Sequence, residues 1–235
     1  MSLAARIAAF PWSQIEADLD ERGSAVLPGV LAVDECAALT RLYQREEHFR
    51  ATIVMARHGF GRGEYRYFKY PLPELVGGLR RELYARLCPL ANRWNERLRS
   101  AVRYPPEHEA FLARCHRAGQ KRPTPLLLRY GSGDYNCLHR DLYGEHVFPL
   151  QVTLLLSRPQ REFAGGEFVL VEQRPRMQSR AEVVALEQGE GVVFAVHHRP
   201  VRGRRADHRV MLRHGVSRLL SGERYTAGII FHDAR

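Results

Sequence analysis

The spacing of apolar residues divides the chain into a helical first half and a strand-rich second half. In the first half apolar residues recur every three or four positions, as on one face of a helix, which predicts helices over 12–23, 34–49, 73–101 and 107–119. After residue 125, short apolar runs bounded by turn residues predict strands instead. The predicted strands span 126–130, 147–156, 167–172, 181–186, 191–196 and 225–231.

Helices followed by closely spaced strands predict an α+β fold, with a double-stranded β-helix (jelly-roll) core buttressed by N-terminal helices. We expect residues 1–125 to form a helical region packed on the core, and residues 126–235 to form the core itself, as one integrated domain. A chain of 235 residues can bury a core of this kind. Residues 59–73 are rich in glycine, proline and aromatic residues, which indicates either a packed connection or a lid over a substrate.

A polar triplet follows the first predicted strand and its turn. Leu126–Tyr130 has the pattern of a strand and Gly131–Asp134 that of a turn, and His139-Arg140-Asp141 comes next. Side chains two positions apart on an extended segment point to the same face, so His139 and Asp141 are candidate metal ligands from one strand. A solvated pair without a metal is the alternative, because this triplet also occurs by chance.

A third ligand is expected near the C-terminal end. The candidate histidines there are His197, His198, His208 and His214. We select His214 because Arg224 follows it by ten positions at the start of the apolar run Tyr225–Phe231, where an arginine can grip a carboxylate through two hydrogen bonds. Two histidines and one carboxylate on one side of a metal are the ligands of non-haem Fe(II) oxygenases. The alternative is a core histidine, with the arginine paired to Asp207 or Glu223.

The region from about residue 126 to 235 resembles the 2-oxoglutarate- and Fe(II)-dependent oxygenases, most clearly their prolyl-hydroxylase-like branch. The pattern of that branch matches His139-Arg140-Asp141, His214-Gly215-Val216 and Arg224, and Gly165-Gly166-Glu167 matches the opening of a central strand. The whole chain also resembles an uncharacterised bacterial oxygenase family with a predicted link to damaged nucleic acid. The stretches that carry this second resemblance are 122–128, 148–151, 172–180 and 230–234.

The resemblance implies a set of cofactors and the residues that hold them. The implied Fe(II) ligands are His139, Asp141 and His214. Arg224 would bind the distal carboxylate of 2-oxoglutarate, and dioxygen would take the remaining iron position. Tyr130 and Ser217 would contact the co-substrate, although a core aromatic residue is an equal alternative for Tyr130. The implied reaction is hydroxylation of a C–H bond, which on an N-methyl group ends in demethylation.

A net charge of +10 at pH 7 favours an anionic partner. The densest basic segment contains Arg199, Arg202, Arg204, Arg205, Arg209 and Arg213. This segment lies between a predicted strand and His214, so we expect it to be a loop at the rim of the metal site. There its arginines could hold the phosphates of nucleic acid or an acidic substrate, whereas a merely solvated loop is the alternative.

Three functions are consistent with these residues. The first is oxidative demethylation of alkylated nucleic acid, the second is hydroxylation of a protein or amino-acid side chain, and the third is a non-catalytic jelly-roll binding module. Two positions differ from the AlkB-type repair dioxygenases. Ile230 stands where those enzymes carry a second arginine, and Leu128 stands where they usually carry asparagine.

Cysteine usage and hydropathy predict a cytoplasmic protein. The four cysteines, Cys36, Cys88, Cys115 and Cys137, are scattered without a CxxC pair, which indicates reduced thiols. No apolar run reaches the length of a membrane span, and the first residues do not have the pattern of a secretory signal.

Overall fold

The computed structural model describes residues 1–174, 176–203 and 206–235. Within these ranges the α-helices are Leu3–Ala8 (α1), Trp12–Arg22 (α2), Val33–Leu42 (α3), Glu74–Arg97 (α4) and His108–Arg117 (α5). The strands are Ser24–Leu27 (β1), Phe49–Val54 (β2), Gly61–Arg62 (β3), Glu64–Phe68 (β4), Leu126–Gly131 (β5), Tyr135–His139 (β6), Leu150–Leu155 (β7), Phe163–Gly165 (β8), Phe168–Gln173 (β9), Arg180–Val184 (β10), Gly191–Ala195 (β11), His198–Arg202 (β12), Asp207–Val216 (β13) and Leu219–Ile229 (β14).

These strands form two antiparallel sheets. The larger sheet has the order β1-β11-β7-β14-β5-β4-β2, with β8 also paired to β14, and the smaller has the order β10-β9-β13-β6-β3, with β12 also paired to β13. The inner faces pack together, as Phe168 of the smaller sheet and Phe194 of the larger have ring centroids 4.8 Å apart. Strands close in sequence alternate between the two sheets, which confirms the predicted α+β jelly roll.

The N-terminal region contributes strands as well as helices. β1 pairs with β11 at one edge of the larger sheet, and β4 and then β2 extend the other edge beyond β5. Residues 1–125 therefore share a sheet with residues 126–235. The helical pattern missed these strands because each has only four to six residues and is stabilised by pairing with strands distant in sequence.

The helix predicted over 34–49 is shorter than expected. α3 ends at Leu42, and Phe49 already begins β2. The Tyr43 carbonyl accepts a hydrogen bond from Arg66 Nη1 at 2.9 Å, and the Tyr43 hydroxyl donates to Glu64 Oε1 at 2.7 Å. These bonds to β4 replace the bonds that a longer helix would make. The other three predicted helices are present as α2, α4 and α5.

The expected basic loop is instead a hairpin. β12 and β13 pair antiparallel, from His198 opposite Met211 to Arg202 opposite Asp207. Val210 and Leu212 are buried and alternate with exposed arginines, which is the pattern of a strand with one solvated face. The prediction of a loop was wrong because the many charged residues obscured the alternation of buried and exposed side chains that is typical of a strand.

Helix α4 runs unbroken through Pro89 and carries a buried ion pair. Arg80 Nη2 donates to Asp233 Oδ1 at 2.7 Å, and Arg80 Nε donates to the Ile230 carbonyl at 2.8 Å. The Arg80 and Asp233 side chains are 1% and 0% exposed. Arg80 therefore connects α4 to the residues that directly follow β14. None of the helices in the described ranges is both long and apolar enough to cross a membrane.

Asp233→Ala is expected to lower the free energy of unfolding by about 3–5 kcal/mol, because it leaves the Arg80 guanidinium buried without its partner. Chemical denaturation followed by circular dichroism measures this loss. The neighbouring pair Arg81–Glu82 is more exposed and is the matched control, so Arg81→Ala should cost less than about 1 kcal/mol. Equal losses for both variants would show that the ion pair does not fix α4 to the sheet.

Candidate metal centre

Two neighbouring strands of the smaller sheet place two histidines side by side. His139 is the last residue of β6 and is paired with His214 of β13. Their ring centroids lie 4.3 Å apart. The next pair is Asn136 with Val216, so one extra residue of β6 forms a bulge. Such a bulge re-aims side chains, and here both Asn136 and His139 line the same interior cavity.

Asp141 completes the group from two positions beyond the end of β6. Its Oδ1 lies 3.5 Å from His139 Nε2 and its Oδ2 lies 3.4 Å from His214 Nε2. One ligand atom from each of the three residues lies within 4.8 Å of the others. The structure thus brings the three predicted ligands together. The carboxylate reaches the group from the loop after β6, and not from the strand itself as expected.

Hydrogen bonds orient the first two ligands. His139 Nδ1 donates to the Cys137 carbonyl at 2.8 Å, which leaves Nε2 available to a metal. The Tyr143 hydroxyl donates to Asp141 Oδ1 at 2.6 Å, and the Tyr67 hydroxyl lies 3.1 Å from that of Tyr143. The carboxylate is therefore held on its Oδ1 side, so that Oδ2 is free to face His214.

Burial and hydrogen bonding oppose each other at the Asp141 carboxyl. Burial raises the pKa of Asp141, but the hydrogen bond with His214 and the electrostatic effects of both histidines outweigh burial and hold this pKa below its usual range. Asp141 is therefore ionised at neutral pH, as a metal ligand must be. Burial lowers the pKa of His214, which favours the neutral imidazole that binds metals.

The three residues open into a cavity of about 360 Å³ between the two sheets. The larger sheet contributes one wall, which includes Tyr65, Leu128, Thr153 and Thr226, and the smaller sheet contributes the histidines and Phe168. The volume is in the range of small-molecule sites. The segment 59–73 contributes Gly59 and Phe60 to this cavity, and also residues of β4, which is paired on both sides by β2 and β5.

Arg224 approaches the cavity from the larger sheet. It lies on the same face of β14 as Thr226 and Gly228, which line the cavity, and its guanidinium carbon is 5.7 Å from the centroid of the Tyr130 ring. Arg224 is 2% exposed. Its Nε and Nη1 have no hydrogen-bond partner among the residues that the structure describes.

The charge of this buried arginine is stabilised only when an anion lies next to it. Burial lowers the pKa of Arg224 to about 10, so the guanidinium is still charged at neutral pH. A buried charge without acceptors is unfavourable, and a carboxylate is the anion that the guanidinium group binds best. Arg224 therefore fits the distal carboxylate of 2-oxoglutarate.

Gly166 makes room for this arginine. Its φ is +67°, and a Cβ atom there would lie 2.6 Å from Leu219 Cδ1 and 3.1 Å from Arg224 Cδ. Any other residue would have to displace one of these side chains and adopt a left-handed backbone. The Gly165-Gly166-Glu167 stretch thus has a physical role beside Arg224.

The two remaining predicted site residues differ in their placement. Tyr130 lines the cavity, and its hydroxyl accepts from Asn136 Nδ2 at 3.4 Å. Burial raises the pKa of Tyr130 to about 12, so its hydroxyl keeps its proton at neutral pH and can donate a hydrogen bond. Ser217 is not brought to the cavity, because its hydroxyl accepts from the Glu167 amide at 3.0 Å and donates to the Glu167 carboxylate.

The cavity residues that the sequence did not single out include Tyr67, Tyr143 and Gln151. Tyr67 and Tyr143 form the hydrogen-bonded chain that ends on Asp141. Gln151 is buried on β7, and its Oε1 has no partner within the described ranges, so it offers an acceptor to a molecule in the cavity. The available signal was Gln151 and Thr153 alternating with apolar residues along an otherwise buried strand.

Arg199 cannot contact phosphate, contrary to the prediction. It is 1% exposed, and its Nε donates to Glu172 Oε2 at 3.0 Å. Its Nη1 donates to the Asp20 carbonyl at 2.7 Å. Glu172 lies 27 positions earlier in the chain, so the linear cluster of arginines gave no sign that this charge is neutralised in the fold.

The other clustered arginines do not form a rim around the triad. Arg209 and Arg213 alternate with buried residues of β13 and project from the face opposite to His214. Arg202 is exposed at the end of β12. Arg204 and Arg205 lie outside the described residues. The expected rim was wrong because strand alternation leaves Arg209 and Arg213 out of the lining of the metal cavity.

A family of oxygenases described as catalysing oxidative methylation of damaged DNA matches residues 63–234. The chain belongs to this oxygenase family. It is also 50% identical over 167 residues to an uncharacterised protein of Mycobacterium tuberculosis strain CDC 1551 / Oshkosh, with 71% of this chain and 72% of that protein covered. An uncharacterised protein of strain H37Rv matches with the same values.

Solved structures share the fold of this oxygenase at low sequence identity. A prolyl-4-hydroxylase from Pseudomonas putida has a TM-score of 0.52 and 18% identity, with 100% of both chains covered. A prolyl hydroxylase from Trichoplax adhaerens, in complex with a hypoxia inducible factor peptide fragment, has a TM-score of 0.56 and 15% identity. That match covers 96% of this chain and 90% of the other. Both agree with the jelly-roll architecture.

The family, the triad and the buried arginine agree with one kind of enzyme. The protein is an oxygenase, and its triad and buried arginine fit Fe(II) and 2-oxoglutarate. Two imidazoles and one carboxylate suit Fe(II) and leave positions for oxygen ligands. The buried guanidinium of Arg224, which lacks acceptors within the described part of the chain, fits the co-substrate independently of the metal.

His214→Ala is expected to weaken Fe(II) binding by more than about 100-fold, since loss of a residue that merely hydrogen-bonds to a metal ligand already costs about 10- to 100-fold. Anaerobic metal titration measures the affinity. His208→Ala is the matched control, because His208 is exposed on the same strand. Iron affinity retained by His214→Ala would remove His214 from the ligand set.

Arg224→Ala is expected to weaken 2-oxoglutarate binding by at least about 30-fold, because truncating one partner of a buried charge pair costs about 2–5 kcal/mol. Calorimetry under anaerobic conditions with the metal bound measures the affinity. Arg213→Ala removes an exposed arginine and should leave this affinity unchanged. An unaltered affinity in Arg224→Ala would assign the distal carboxylate to another residue.

Proposed function

We propose that this dioxygenase removes methyl groups from alkylated DNA bases by oxidative demethylation. The observation that carries the proposal is the match of residues 63–234 to an oxygenase family acting on damaged DNA, on a chain whose fold assembles His139, Asp141 and His214. An iron oxygenase oxidises a methyl group and does not transfer one, so removal is the chemistry that we assign.

In this proposal each residue near the triad has a defined role. His139 Nε2, His214 Nε2 and the Oδ2 side of Asp141 would hold Fe(II), while Tyr143 fixes the other carboxylate oxygen. Bound Fe(II), with 2-oxoglutarate and dioxygen, supplies the oxidant for C–H hydroxylation and yields succinate and carbon dioxide. Arg224 would orient 2-oxoglutarate by its distal carboxylate, and the Tyr130 hydroxyl would donate a hydrogen bond to the co-substrate.

The chemistry of the product distinguishes demethylation from other hydroxylations. Insertion of one oxygen atom into an N-methyl group gives a hemiaminal. This hemiaminal breaks its C–N bond, transfers the hydroxyl proton to nitrogen and releases formaldehyde, so the base regains its N–H. Formaldehyde is therefore a specific product of the proposed reaction.

The cavity mouth has features that suit an extruded base. Phe60 lines the cavity, is 47% exposed, and stacks on His58 with ring centroids 5.3 Å apart. Tyr65 and Tyr67 provide further aromatic surface inside. A base must leave the DNA stack to reach a buried centre, and aromatic faces compensate for the lost stacking. The net charge of +10 favours association with the DNA backbone.

We further propose that the enzyme works as one integrated domain in the cytoplasm. The shared larger sheet supports the integration, because β1, β2 and β4 pair with strands of the C-terminal core. All four cysteines are free thiols, which is usual in a reducing compartment.

The proposal predicts that methylated single-stranded DNA stimulates succinate formation and that formaldehyde appears with the loss of methylated base. Fe(II)-reconstituted protein is mixed with 2-oxoglutarate and an oligonucleotide, exposed to oxygen, and assayed for both products. The unmethylated oligonucleotide and Asp141→Ala are the controls and should give no formaldehyde. The rate should also fall as salt rises, because phosphate contacts release counterions.

If succinate is released but methylated DNA does not stimulate its release, the protein is an oxygenase whose substrate is not methylated DNA. In that case hydroxylation of a protein or amino-acid side chain is tested next. Absence of succinate with every substrate would favour the non-catalytic binding module.

A further inference from the structure

A second cleft lies beside the metal cavity, with the segment Arg140–Leu142 between them. The cleft has a volume of about 320 Å³. Asp141 lines the metal cavity and Leu142 lines the second cleft, while Arg140 lines the metal cavity and bonds to a residue of the cleft. Neighbouring Cα atoms are about 3.8 Å apart. The two spaces therefore share this segment as a common wall.

The polar side chains that line the cleft carry positive charge or none. They are Asn95, Ser100, His197, His198 and Arg209, without a carboxylate among the described lining residues. Arg140 Nη1 donates to His197 Nε2 at 2.7 Å. An imidazole that accepts at Nε2 carries its proton on Nδ1, so His197 is a donor through Nδ1.

The positive charge in this cleft is not neutralised by nearby acids. Among the described residues Arg140 contacts His197 and the Met211 sulfur, and no carboxylate is paired with it. Asp207, on the same strand as Arg209, is instead paired with Arg97 at 2.7 Å. Burial, and then nearby charges that include Arg140 and Arg209, lower the pKa of His197. The cleft thus presents Arg209 and two neutral imidazoles, and Arg140 bonds to one of these imidazoles from the side of the metal cavity.

The rest of the cleft is apolar. Its apolar lining residues are Trp94, Leu98, Leu142, Val147, Pro149 and Val196. A small inorganic anion would leave this surface exposed to water. A ligand that combines one anionic group with a flat or sugar-like body would use both the donors and the apolar floor.

We propose that this cleft binds the nucleotide next to the one whose base enters the metal cavity, with the linking phosphodiester held by Arg209, Arg140 and the histidines. The inference rests on the proposed function, because it requires a nucleic-acid strand. It explains why Arg140 stands between two metal ligands. From that position it can contact the phosphate that joins the two nucleotides.

A pair of dinucleotides tests the proposal. Both carry the same methylated base, but one has a natural phosphodiester and the other a neutral methylphosphonate link. We expect the wild-type protein to lose about tenfold in kcat/KM with the neutral link, since a charged phosphate accepts stronger hydrogen bonds than a neutral group. In Arg209→Gln we expect the natural link to lose its advantage, so that the two dinucleotides react at similar rates.

Arg117→Gln is the matched control. It removes one exposed arginine from α5 and lowers the net charge equally, but Arg117 does not line the cleft. This variant should keep the full preference for the natural link. Trp94 lines the cleft, so binding of the unmethylated natural dinucleotide should also change tryptophan fluorescence, with about tenfold weaker affinity in Arg209→Gln.

Each alternative outcome overturns the inference in a different way. A preference for the natural link that persists in Arg209→Gln, together with unchanged fluorescence titration, would place the phosphate elsewhere. If Arg117→Gln loses the preference for the natural link to the same extent, the effect depends on net charge alone. If wild-type protein converts 2-oxoglutarate to succinate but demethylates neither dinucleotide nor longer DNA, the proposed function itself fails and this inference fails with it.

Discussion

The antiparallel pairing of β6 with β13 is the constraint on which the metal centre depends. It sets His139 opposite His214, and the bulge beside this pair turns both rings into the space between the sheets. A slip of one residue would send His214 to the outer face, where Arg213 now projects. Asp141 can then complete the group from the loop, since its position is fixed by the tyrosine that donates to its carboxylate.

The cavity is bounded by two features that recognise different ends of one molecule. The triad offers a metal site, and Arg224 offers a buried positive charge without acceptors among the described residues. A keto dicarboxylate has a chelating end and an anionic end, and so satisfies both. Tyr130 lies beside the guanidinium and also lines the cavity.

Sequence patterns predicted the group of three residues, the position of Arg224 and the jelly roll. Each of these depends on local order: a triplet after a strand, a fixed spacing and a succession of short apolar runs. They missed contacts that only the fold creates. Arg199 is neutralised by Glu172, which lies on another strand, and Ser217 is held by Glu167. Tyr143 was also missed, since nothing in its local sequence shows that its hydroxyl meets Asp141.

Anaerobic titration of the metal-free protein with Fe(II) and 2-oxoglutarate tests the central claim most directly. The expected result is one iron and one 2-oxoglutarate per chain, with a visible charge-transfer absorption only when both are present, because the keto acid chelates the iron. Tight binding of 2-oxoglutarate without that absorption would contradict the account, since the co-substrate would then not lie between the metal and Arg224.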